Sequence, residues 1–178
     1  MTLGLSSFTY GWSVGIGPDS PGFSVLELVE RTHHYGLKCV QVGDNLPLHK
    51  STEANIKDIK ATASRYNIRL EVGARRLTDN QLERYVEITK SLGAPLLRFV
   101  VDDAGYQPST DVILSILKNS IPDLKSNGIM LGIENHDRFK AKELALLMDK
   151  ISDEYIGICL DCVNSLGAGE GLEWVANI

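Results

Sequence analysis

Met130-Leu131-Gly132-Ile133-Glu134-Asn135, followed one helix later by Ile156-Gly157-Ile158-Cys159-Leu160-Asp161, decides the architecture. Successive side chains of a strand point to opposite faces. In the first segment Leu131 and Ile133 oppose Gly132, Glu134 and His136; in the second Ile156, Ile158 and Leu160 oppose Gly157, Cys159 and Asp161. Two earlier segments repeat the pattern: Leu70, Val72 and Ala74 oppose Glu71, Gly73 and Arg75, and Leu97, Phe99 and Val101 oppose Arg98, Val100 and Asp102. One face is apolar throughout, as packing on helices requires. The other carries small and ionisable residues, among them Gln41, Glu71, Arg98, Glu134 and Asp161. Both faces of an open doubly wound sheet meet helices and should be apolar. A charged face suits the lumen of a closed barrel instead, where buried charges need partners or a metal.

The rest of the chain has the same grammar. Strands are expected near Leu3–Phe8, Lys38–Gly43, Arg69–Ala74, Leu96–Asp102, Met130–Asn135 and Ile156–Asp161. Helices are expected near Ser24–Tyr35, Ser51–Tyr66, Thr78–Leu92, Ser109–Ser126 and Ala141–Lys150, with a sixth beginning near Glu170. Thr78 with Gln81 has the spacing of a capping box, Ser51 and Ser109 suit N-caps, and Gly36, Gly93 and Gly128 stand where a helix end needs positive φ. Pro122 should kink or split the fourth of these helices. Strand centres recur at the length of a βα unit, and strict alternation implies a parallel sheet. No G-x-G-x-x-G follows the first strand, so nothing supports dinucleotide binding. The expected fold is a parallel (β/α)8 TIM-type barrel. A complete one has eight units and ~250 residues, so residues 1–178 read as one domain of about six units with the last two strands missing.

Composition is that of an ordinary globular protein: 178 residues, 43% hydrophobic and 23% charged. No apolar run reaches the ~20 residues of a membrane span, and the N-terminus lacks a secretory pattern. The expectation is a cytoplasmic protein. A net charge of −5 disfavours general nucleic-acid binding, which needs a basic face. Cys39, Cys159 and Cys162 form no disulfide framework, and the C-x-x-C of the last two reads as small buried residues in a strand. His33 and His34 read as helix-terminal surface or packing residues.

Barrel active sites lie at the C-terminal ends of the strands, where Glu134 and Asp161 are both expected. Two carboxylates there could share one cation; the alternative is an ion pair with Arg98. At these positions the sequence resembles a known family. Gly132-Ile133-Glu134-Asn135-His136, Leu160-Asp161-Cys162-Val163-Asn164-Ser165 and the Tyr35-Gly36-Leu37-Lys38-Cys39-Val40-Gln41 turn are similar to the xylose isomerase-like sugar phosphate isomerase/epimerase group.

The resemblance implies four metal ligands, a Glu, an Asp, a His and a second Glu. Glu134 matches the first and Asp161 the second; the others are expected beyond Ile178. It further implies a divalent ion (Mn, Mg, Co or Zn) that polarises a sugar carbonyl, with Glu134 as ligand and acid/base group and Asp161 as ligand only. His136 could hydrogen-bond substrate or ligand, or be a solvated loop histidine. Asn164 matches a position that often contacts sugar hydroxyls, or is a turn residue. Phe8 and Trp12 could wall the apolar face of a sugar, or simply pack. Glu71 and Arg98 are expected to balance charge, most simply as structural ion pairs. The expected activity is metal-dependent isomerisation or epimerisation of a keto sugar or related hydroxy-carbonyl compound, with this chain inactive alone. The alternatives are a metal-dependent hydrolase like the apurinic-site endonucleases of the same fold group, and a non-catalytic sugar-binding barrel. A small-molecule sugar is the expected partner, with no nucleic acid or membrane. Exposed strand edges favour a homo-oligomer.

Overall fold

The structure, a computed structural model, describes residues 2–14, 22–136 and 138–171. Six strands are present among them: β1 (Gly4–Ser6), β2 (Cys39–Val42), β3 (Arg69–Arg75), β4 (Leu96–Val100), β5 (Met130–Glu134) and β6 (Ile156–Cys159). They lie in one sheet in chain order. β1–β2, β2–β3 and β5–β6 pair in parallel. Doubly wound sheets reverse their strand order at a switch point. An order without reversal is that of a parallel β/α barrel, six of whose eight units are present among the described residues.

The helices are a short α1 (Gly11–Val14), α2 (Val25–His34), α3 (Glu53–Arg65), α4 (Asp79–Leu92), α5 (Thr110–Asn127), α6 (Ala141–Ile151) and α7 (Cys162–Gly167). Their ends follow local chemistry. Ser24 and Glu27 form a full capping box on α2, the Thr78 hydroxyl accepts the Gln81 N–H at 3.2 Å, and Ser109 caps α5. Gly36, Gly93 and Gly128 all have positive φ.

Several expectations need correction. Thr52, not Ser51, caps α3, because its hydroxyl reaches the Asn55 N–H at 3.2 Å. Pro122 does not split α5, which runs unbroken from Thr110 to Asn127. Proline removes one N–H, and the carbonyl it leaves belongs to Lys118; both residues are exposed, so water can satisfy it. β1 ends at Ser6, where the Ser6 hydroxyl accepts the Phe8 N–H and the chain turns into a 3-10 helix. Cys162 is exposed at the start of α7 rather than buried in a strand. The helix expected from near Glu170 falls mainly on residues 172–178, outside the described residues.

The chain forms two compact units, Met1–Ala74 with Glu87–Leu97, and Arg75–Val86 with Arg98–Ile178. In the first, α2 packs on α3 and β2, burying Leu28, Val29, Val40, Val42, Ile59 and Val72. In the second, α6 packs on β6 and α5, and Phe99, Ile113, Leu117, Leu131, Ile133 and Leu144 are buried. There Tyr85 meets Phe99 edge to face, with centroids 6.3 Å apart. No helix among the described residues is long and apolar enough to cross a membrane.

Candidate active site

The polar residues of the second unit gather at the C-terminal ends of its strands. Arg98 lies in β4 and Glu134 ends β5, both facing away from the apolar side that carries Phe99, Leu131 and Ile133. Only 5% of Arg98 and 7% of Glu134 is exposed. The guanidinium donates to Glu134 Oε2, so each charge offsets the other's desolvation. The ion pair weighed as an alternative from the sequence therefore exists.

Asp161 follows β6. Glu134 is in register with Cys159, so Asp161 stands two residues further along on the same parity. One carboxylate oxygen, Oδ1, accepts the N–H groups of Val163 at 2.8 Å and Asn164 at 3.1 Å, making Asp161 the N-cap of α7. The Asn164 side-chain amide lies 3.4 Å from Glu134 Oε1. Asn164 thus touches both carboxylates, one through its backbone and one through its side chain.

His136 sits one residue beyond Asn135, with Nε2 3.3 Å from Arg75 Nη2. A guanidinium can only donate, so in this contact Nε2 is the acceptor. His136 is half-buried, not the solvated loop residue that was the alternative. Nearby, Arg138 clamps Asp102, which is 3% exposed, through Nε at 2.8 Å and Nη2 at 3.1 Å, and also donates to the Pro108 carbonyl at 2.6 Å. The Asp102 carboxylate raises the Arg138 pKa above its ordinary value, against the smaller opposing effect of burial.

The sequence reading missed two groups. Asp102–Arg138 had no local spacing signal. Asn135 did: it has the parity of Leu131 and Ile133, where a buried amide must find partners. It is 1% exposed. Its Oδ1 accepts the Asp161 N–H at 2.6 Å, and its Nδ2 donates to the Asp161 carbonyl at 2.9 Å and Ser165 Oγ at 2.8 Å.

The remaining candidates belong to the first unit. Glu71 accepts from Arg69 at 2.8 Å and from Gln41 at 3.4 Å, the structural ion pair expected of it. Burial, and then the Glu71 carboxylate, push the Cys39 thiol pKa up. Phe8 and Trp12 are 51% and 85% exposed. Phe8 lies over Gly43, where an added Cβ would stand 2.5 Å from its ring.

Among the described residues no group of three or more His, Cys, Asp or Glu side chains is placed to hold a metal ion. Glu134 and Asp161 bring two carboxylates around Asn164. Their donor chemistry is that of a hard divalent ion, and they fit it as part of a ligand set.

The sequential parallel β/α topology defines a β/α barrel scaffold. Residues 29–178 match the Xylose isomerase-like TIM barrel family, and the chain belongs to it. It is 26% identical over 170 residues to the 3-oxo-isoapionate decarboxylase of Pectobacterium atrosepticum, covering 96% of this chain and 62% of that protein. The chain therefore spans less than two thirds of that curated relative. Its fold is similar to a D-psicose 3-epimerase solved in the presence of D-fructose, with TM-score 0.76 and 15% identity over 96% of this chain and 67% of that one. It is also similar to the IolI protein with a bound zinc atom, with TM-score 0.73 and 12% identity over 100% of this chain and 69% of that one.

Proposed function

We propose that this chain supplies the Glu134 and Asp161 part of a divalent-metal site in an enzyme that isomerises or epimerises a keto sugar or a related hydroxy-carbonyl compound. The supporting observation is that Asn164 touches both carboxylates, one from the end of β5 and one from just beyond β6. A bound divalent ion supplies the positive charge that polarises a substrate carbonyl. Asp161 holds one ligand oxygen while its other role, capping α7, fixes where the carboxylate points. Glu134 removes a proton from the carbon next to the carbonyl, leaving an enediolate. Epimerisation then needs a second carboxylate on the opposite side of the substrate plane to protonate that carbon, whereas isomerisation needs only return of the proton to the neighbouring carbon. Arg98 occupies Oε2, so Oε1 is the oxygen for this work. His136 and Asn164 are the candidates for contacts with substrate hydroxyls. Arg98 balances the charge of Glu134. The 178-residue chain alone should hold the ion weakly and turn over slowly or not at all, since two protein ligands bind less tightly than four.

A second reading follows from the curated relative, a decarboxylase of a 3-oxo sugar acid. Loss of CO2 beside a ketone leaves the same electron pair next to the same carbonyl as proton removal does. One scaffold therefore suits both reactions. They differ in what Glu134 must do: isomerisation needs a base, decarboxylation only a later proton donor.

The test is a titration with Mn2+, Mg2+, Co2+ and Zn2+ by calorimetry, followed by NMR of ketoses and of a 3-oxo sugar acid in D2O. Binding that Glu134→Gln abolishes, with deuterium entering a ketose next to its carbonyl, supports the first reading. CO2 release from the 3-oxo sugar acid, with no deuterium entering a ketose, supports the second. Ion binding that Glu134→Gln leaves intact refutes both.

A further inference from the structure

The β5–β6 backbone ladder ends at the Glu134–Cys159 pair, yet the sheet pairing continues for one more step through a side chain. A carboxamide carries the same donor and acceptor as a peptide group. Asn135 presents its carboxamide to Asp161 as a strand would present its backbone. Oδ1 accepts the Asp161 N–H at 2.6 Å and Nδ2 donates to the Asp161 carbonyl at 2.9 Å. The second Nδ2 hydrogen goes to Ser165 Oγ at 2.8 Å, so both N–H groups and the oxygen are used. Ser165 is fully buried, and its own N–H donates to the Asp161 carbonyl at 3.0 Å. The first turn of α7 and the residue that caps it are therefore both pinned to the residue that follows Glu134.

We infer that Asn135 is a positioning residue that sets the Asp161 carboxylate beside Glu134 by acting as a surrogate rung of the sheet. This deepens the proposed function and rests on the reading of Asp161 as an ion ligand. The nearest alternatives do not meet the geometry. Aspartate lacks the donors and would set an oxygen against the Asp161 carbonyl, serine is too short to span donor and acceptor, and glutamine is one methylene too long. Glu134 and Asp161 lie 27 positions apart in sequence, but adjacent residue 135 reaches across to residue 161. The spacing of the two acids is thus tied to a single side chain.

The test uses the full chain with Asn135→Asp, and with Ser165→Ala as a second variant that removes one of the amide's bonds together with the Ser165 contact to Glu170. Hydrogen exchange of individual amides and Mn2+ calorimetry are the readouts. In Asn135→Asp the Asp161 amide should exchange about tenfold faster, as loss of its hydrogen-bonded pair implies. The Ile133 amide, in the same strand, should keep its rate, and Mn2+ should bind about tenfold more weakly. Ser165→Ala should shift both readouts the same way by about threefold. Unchanged Asp161 exchange in both variants overturns the inference whatever the ion does. An equal acceleration at Asp161 and Ile133 also overturns it, because it marks a merely structural role. If the wild type binds no Mn2+ while Asp161 alone is released in the variants, the positioning role stands and the proposed ion site fails. If the wild type binds Mn2+ and Asn135→Asp binds it as tightly, the inference fails and the ion site stands.

Discussion

Removing Arg98 should be among the most damaging single changes to this protein, and a divalent ion should repair part of the damage. The side chains of Arg98 and Glu134 are 6% and 8% exposed. In Arg98→Met the carboxylate stays buried, with the Asn164 amide at 3.4 Å as its described neighbour. Stranding one member of a buried ion pair costs about 3–5 kcal/mol. With a urea m-value of about 2 kcal/mol/M, the unfolding midpoint should fall by about 2 M. The double variant Arg98→Met/Glu134→Leu removes the stranded charge and should recover most of that loss, since an apolar pair of similar volume often replaces a buried ion pair at little cost. An ion seated on Glu134 offers an alternative counter-charge. At 100 times its dissociation constant it adds about 2.7 kcal/mol, so MnCl2 should raise the midpoint of Arg98→Met by more than that of Arg98→Met/Glu134→Leu. Urea melts followed by circular dichroism, with and without MnCl2, measure all of this. A drop below about 0.5 M for the single variant, or a double variant no more stable than the single, would refute the claim that this pair is a desolvated charge pair.

Three further outcomes follow from single positions. Burial pushes the Glu170 carboxyl pKa up, but the N–H groups of Ala141 and Lys142 and the Ser165 hydroxyl together outweigh it, so the net shift is downward. A lowered folded pKa contributes stability above the ordinary glutamate range and loses it as pH falls through the folded value. Glu170→Gln should cost about 1 kcal/mol at pH 7 and flatten the acid limb of a stability–pH curve. Gly43→Ala places a methyl 2.5 Å from the Phe8 ring and 3.0 Å from Ser7 Oγ; it should cost about 1–3 kcal/mol in urea melts. Ser152 caps the end of α6 at φ 52°, so Ser152→Gly should stabilise by about 1 kcal/mol and raise the thermal midpoint by about 2–4 °C.

Much of the scaffold was legible in the sequence. Alternation of apolar and polar residues marks a strand wherever one face is buried, and the last four of the six segments carry it plainly. Glycines past helix ends and hydroxyl residues before helix starts marked most boundaries, because those positions have local geometric needs. Where two neighbouring hydroxyls competed, at Ser51 and Thr52, only the folded turn decided which one reached an N–H. Pro122 read as a break because its missing N–H is a local fact, whereas the exposure that makes it tolerable is a property of the packed helix. Glu134 and Asp161 were legible as acids at or just beyond strand ends. Asn135 was legible as an anomaly of parity but not as a clamp.

Periodicity and capping are written within a few residues of each other, so the chain by itself determined the order of strands and helices and the faces on which its acids lie. Pairings between residues far apart in the chain are written nowhere locally. Arg98 with Glu134, Arg138 with Asp102 and Asn135 with Asp161 each join residues 26 to 36 positions apart. Strand register and helix docking decide them, because a buried polar group takes whichever partner the packed backbone brings within about 3 Å.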